Sequence, residues 1–151
     1  MLRSCLRPDV PSTRSGGDPS GRLVLVPVGQ FDLRAVTPLE YAWRIPAEER
    51  RALHVATDEQ ELWALADAWM GSTHSLRLHV VENDTGVASM VGRVVEYELA
   101  SRFAEVVVLI GRLGIRRRAH RLLHDRSADA IHRVVARIPG VTVAGMTVAM
   151  T

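Results

Sequence analysis

The chain has 151 residues, 47% hydrophobic and 24% charged, with a formal net charge of +2 at neutral pH; this is the size of one globular domain with enough apolar material for a core. All 19 basic side chains are arginines, which excludes Schiff-base chemistry on lysine and a Walker-type phosphate loop, and the single Cys5 excludes a disulfide framework and a thiolate zinc site. No apolar run reaches the roughly 20 residues of a membrane-spanning helix, and the 5% aromatic content does not suit an RNA binder built on base stacking.

Residues 1–21 are rich in Ser, Gly, Pro and Arg and read as a flexible leader or linker before a domain at 22–151. They lack the apolar stretch of a signal peptide, so the expected location is the cytosol. Leu23–Val28 (LVLVPV) is a β-branched apolar run, the pattern of a strand buried on both faces. Leu33–Arg44 carries Leu33, Val36, Leu39 and Trp43 at helical spacing. Arg51–Ala56 is a second strand. Asp58, with Glu61 three residues on, then caps a helix whose stripe is Leu62, Leu65, Ala66 and Trp69 and which ends at Gly71. Leu76–Val81 is a third strand, and Asn83–Thr85 precedes a helix running from Val87 to Leu99. Ala104–Ile110 (AEVVVLI) is a fourth strand, followed by a Gly- and Arg-rich loop over Gly111–Ser127. A helix over Ser127–Arg137, broken by Pro139–Gly140, leads to a fifth strand at Val141–Met150.

This βαβαβαβ–loop–αβ order calls for an α/β fold with helices on both faces of a five-stranded parallel sheet. Ligands in such folds sit beyond the carboxyl ends of the strands, where the strand order switches. The loops after strands one and four, Gly29–Asp32 and Gly111–Ser127, are therefore the expected walls of a site. Gly111 and Gly114 let a backbone approach an anion closely, and Ser127 opens a helix whose N-terminus attracts negative charge. The same glycines also suit a plain strand exit.

The VLVPV opening, LHV in strand two and the GxxG with a nine-residue gap after strand four resemble the universal stress protein fold. Nucleotide-binding members of that family carry GxxGx9G[S/T] and an acid after the first strand. Here Gly29 stands at the acid's place, and His124–Asp125 replaces the Gly–Ser pair. The stretch HRLLHDRSADAIHRVVARIPGVTV, together with VLVPVGQFDLRAV and RALHVATDEQE, is similar to the cytosolic C-terminal domains of amino-acid permease-like membrane proteins of the APC superfamily. That similarity covers roughly Arg22–Met150. It implies a non-catalytic regulatory or interaction domain with a transporter as partner, either stand-alone or a piece of a larger protein. The stress-protein resemblance implies an alternative, a site for ATP or AMP built from Val28, Gly29, Val55, Gly111, Gly114, Arg116, His124, Asp125 and Ser127.

Gly111–Arg137 holds eight arginines against two aspartates, which suits an anionic partner or a solvated helix face. Without a helix-turn-helix or RNA-binding motif, nucleic acid is not the expected partner; Arg116–Arg118 facing an anionic membrane is an alternative. His54 and His79 read as satisfied histidines in strands, and His120, His124 and His132 lack the acid or thiolate of a closed zinc set. No GxSxG elbow is present. Trp43, Trp63 and Trp69 are expected on helix faces that pack on the sheet, with Trp69 the best candidate for a surface anchor. The last strand, VTVAGMTVAM, is a potential exposed edge through which two copies would pair as a homodimer.

Overall fold

The computed structural model describes residues 20–31, 33–72, 76–114 and 126–149. Among them the order is β1 (Arg22–Pro27), α1 (Leu33–Ala42), β2 (Glu49–Ala56), α2 (Glu59–Met70), β3 (Arg77–Glu82), α3 (Val87–Ser101), β4 (Glu105–Gly114), α4 (Arg126–Val135) and β5 (Val141–Ala149). The strands form one sheet in the order β3-β2-β1-β4-β5, parallel throughout, so the expected three-layer α/β architecture is present. Of the expected leader, residues 1–19 lie outside the described residues. Gly21 is tied to the domain by its carbonyl, which accepts from the N–H groups of Ala104 and Glu105 at 3.0 and 3.2 Å.

β1 is central, and Leu23, Val24, Leu25 and Val26 are fully buried. Side chains alternate across a strand, so Val24 and Val26 meet Ala35, Leu39 and Ala42 of α1 and Leu65 and Trp69 of α2. Leu23 and Leu25 meet Val91 and Val95 of α3 and Ile131 and Val135 of α4. This two-sided burial is why β1 is continuously apolar rather than alternating.

Local chemistry sets the helix ends. Asp58 caps α2 by accepting from the Gln60 N–H at 2.7 Å, and Gly71 closes it. α3 starts at Val87 as expected, but its cap is not the Asn83–Thr85 stretch. Its N-cap is Gly86, whose φ of +110° favours glycine, and Asn83 Oδ1 accepts from the Gly86 N–H at 2.8 Å. α1 ends at Ala42, before Trp43, and Arg50 of β2 donates to the carbonyls of Ala42 and Ile45 at 2.8 and 2.6 Å. A cation thus sits at the negative end of the helix dipole.

Of the three tryptophans only Trp69 packs on the sheet as expected, and it is no surface anchor. Trp69 is core: its indole N–H donates to the Leu76 carbonyl at 3.1 Å, and Phe31 meets its ring edge-on at 5.6 Å. With its polar atom satisfied, the indole can be enclosed. Trp43 and Trp63 are exposed. Trp43 falls past the helix end and lies under the Arg50 guanidinium, while Trp63 is one position off the apolar stripe.

β4 is longer than its apolar run, and Gly111 lies within the strand rather than in a loop after it. β4 pairs with β1 only from Glu105 to Val108 but with β5 all the way to Gly114–Ala149. The β4–β5 pair therefore continues beyond the end of β1 as a two-stranded ribbon. α1 rests on this ribbon: a Cβ at Gly111 would fall 1.8 Å from the Arg34 carbonyl oxygen and 3.0 Å from Pro38 Cγ. Pro38 has no N–H, so the Arg34 carbonyl cannot receive its usual helical hydrogen bond.

A buried ionic cluster joins β2 to α3. Arg51 donates to Glu98 at 2.8 Å and to Glu49 at 2.5 Å, and Arg102 approaches both carboxylates. Burial alone would lower the Arg51 pKa, but hydrogen bonds and charge from Glu98 and Glu49 outweigh it and raise the pKa further.

Two outcomes are expected in chemical denaturation. Gly111→Ala destabilises by about 3 kcal/mol or more, because backbone rather than a mobile side chain must move. Arg51→Ala costs about 3–5 kcal/mol by leaving Glu98 buried and unpaired, and the double change Arg51→Met with Glu98→Leu recovers most of that loss.

Candidate ligand cleft at the sheet's carboxyl end

Strand order reverses between β1 and β4, the position where parallel α/β sheets open a crevice. A cavity of about 290 Å³ lies there. Its walls are apolar, with Val28, Val55, Val91, Ile110 and Ile131, and its polar groups are Gln30, Arg34, His54, Thr57, Glu61 and Ser127. The first turns of α1, α3 and α4 contribute Arg34, Val87 and Ser127, so positive helix ends converge on it.

The wall between β1 and β2 is set by two backbone-linked contacts. The Val28 N–H donates to the Leu53 carbonyl at 2.8 Å, and the Val28 carbonyl lies 2.8 Å from His54 Nδ1. A carbonyl can only accept, so Nδ1 carries the proton. This fixes the chain as it leaves β1 and sends Gly29 and Gln30 along the rim. His54 is 97% buried by this arrangement, and its other nitrogen, Nε2, is buried without a hydrogen-bond partner among the described residues. The expectation of a satisfied histidine therefore holds at Nδ1 and fails at Nε2. His79 instead lies on the opposite side of β2, its Nδ1 3.4 Å from Arg51 Nη1.

Of the residues expected from the sequence, Val28, Gly29, Val55, Gly111 and Ser127 line this cavity. Gly114 is the last residue of β4, three positions farther along the ribbon. Arg116, His124 and Asp125 lie outside the described residues, as does the rest of the Arg116–Arg118 cluster. Gly111 has a structural reason to be glycine, the approach of α1, which is independent of any anion. Gly29 has open space where a Cβ would stand. The sequence reading missed Arg34, Glu61, Ile110, Val91 and Ile131 as lining residues. Arg34 had a visible signal, its place in the first turn of a helix that follows β1. Ile110, Val91 and Ile131 are core residues of β4, α3 and α4, and Glu61 is an exposed residue of α2; each reaches the cleft only through the tertiary packing.

No group of three or more His, Cys, Asp or Glu side chains suited to a metal ion occurs among the described residues. The described hydrogen bonds place no carboxylate or hydroxyl on His54, so its ring is oriented by backbone alone. The arrangement is that of a binding cleft: apolar walls, a cation at the mouth and one buried imidazole. No helix is long and apolar enough to cross a membrane among the described residues.

A comparison with curated proteins found no match. The family model described as the KimA potassium transporter C-terminal domain matches residues 20–148, which spans the fold from β1 into β5. The chain belongs to the family of KimA potassium transporter C-terminal domains.

Proposed function

We propose that this chain is a non-catalytic regulatory domain of universal-stress-protein type. It acts on the cytoplasmic side of a membrane transporter and responds to an adenine nucleotide held in the cleft. The observation that carries the ligand half of this reading is the cavity at the strand-order switch, whose apolar walls suit a base and whose Arg34 and helix N-termini suit a phosphate. Its volume lies at the lower edge of the roughly 300–1,000 Å³ usual for small-molecule sites. Family membership supports the transporter as partner, and the similarity to amino-acid permease-like tails supports the same role on different cargo. No step of bond making or breaking is assigned to the cleft.

A homodimer through β5 belongs to the same proposal. β5 is an edge of the sheet, and its nine residues, VTVAGMTVA, contain neither charge nor proline. Edge strands that are kept apart normally carry one or the other.

ATP or AMP at about 100 times its dissociation constant should stabilise the fold by about 2.7 kcal/mol, a rise of several degrees in Tm for a chain of this size. Ser127→Glu, which puts a carboxylate at the rim, should remove most of that rise; flat melts with millimolar nucleotide would end the ligand reading. Light scattering should return twice the 16.7 kDa chain mass, and Thr142→Lys with Thr147→Lys should shift it toward the monomer. A wild-type monomer at high concentration would refute pairing through β5.

A further inference from the structure

His54 carries the one described feature of the cleft that the proposed function does not absorb. The ring is 97% buried in its wall, Nδ1–H is committed to the Val28 carbonyl at 2.8 Å, and Nε2 meets neither a polar side chain nor backbone. Leaving such an atom bare forfeits the hydrogen bond it would make to water. The neighbouring walls are apolar, with Val28, Ala35, Leu53 and Val55. Among the described residues, the charged groups lining the cavity are Arg34 from α1 and Glu61 from α2, and none comes from β1, β4, α3 or α4. With Nδ1 donating, a neutral ring leaves Nε2 as an acceptor.

We infer that His54 is the selectivity residue of the cleft, its Nε2 accepting a hydrogen bond from an N–H group on the ligand's heterocyclic base. This rests on the nucleotide reading above and deepens it: His54 is the residue that reads the amino donor of the adenine base. In the unliganded protein Nε2 is closed to water, so a ligand opens the apolar wall beside it and recovers the missing bond. A base without the donor opens the same wall and recovers nothing. Sites built on a buried polar atom discriminate for this reason.

The test compares AMP with purine riboside 5′-monophosphate, which lacks the 6-amino group, by calorimetric titration. AMP should bind on the order of 10-fold more tightly, the ratio that corresponds to one such hydrogen bond. His54→Leu should bring the two affinities together while leaving the phosphate contribution in place. Since a core substitution can weaken folding, the wild-type protein supplies a second measurement, the ¹⁵N resonance of His54 Nε2. It should move much farther on adding AMP, which donates to it, than on adding the purine analogue, which only opens the wall beside it. Equal affinities in the wild type, a ratio that survives His54→Leu in a folded variant, or an Nε2 resonance that ignores AMP would overturn the assignment while leaving nucleotide binding intact. Failure of both nucleotides to bind would overturn the nucleotide reading and the assignment together.

Discussion

The approach of α1 to β4 at Gly111 is the constraint on which the cleft depends. Backbone meets backbone there, with no room for a single methyl group. Two sequence features make this possible: a glycine in the strand, and Pro38 in the helix, which denies the facing carbonyl of Arg34 its normal partner. The contact draws the first turn of α1 over the sheet, and with it Arg34 to the mouth of the cavity. A side chain at position 111 would lift the helix and open the cleft from below. One glycine therefore serves packing and site geometry together, and its conformational freedom is not the reason for it.

Much of the architecture was legible because burial on two faces leaves a local signature. LVLV in β1, the Asp58 cap and the Leu62–Leu65–Ala66–Trp69 stripe each report their environment without reference to distant residues. The parallel sheet and the place of the crevice, beyond strands one and four, followed from the alternation of strands and helices. The tryptophans were harder, because a stripe assigns a face only as far as the helix extends. α1 stops at Ala42, which strands Trp43 outside, and the Leu76 carbonyl satisfies Trp69, which draws it inside. Neither fact is local in sequence.

The Arg51–Glu98 pair was invisible for the same reason. Its members lie 47 residues apart, and Arg51 opens a strand as an ordinary charged flank would. Burial turns it into the joint between β2 and α3. The candidate site divides along similar lines. Gly29, Gly111 and Ser127 follow from fold logic, whereas His54 could be placed in a strand but not known to keep one nitrogen unsatisfied. Satisfaction of a buried polar atom depends on every neighbour at once, and a sequence specifies those neighbours only through the fold.

The β4–β5 ribbon has a mechanical consequence. Six residues of β4 beyond Val108, Leu109 to Gly114, are paired to β5 alone, a span of roughly 20 Å at about 3.3 Å per residue. Near its root, Ile110 and Gly111 are also cavity wall, and Arg112 ties its flank to Asp129 of α4. A rotation of about 5° at the root displaces the far end of such a span by nearly 2 Å. The wall of the cleft and the arm that leaves it are one piece of covalent chain, so a small rotation at the wall is geometrically magnified at the tip.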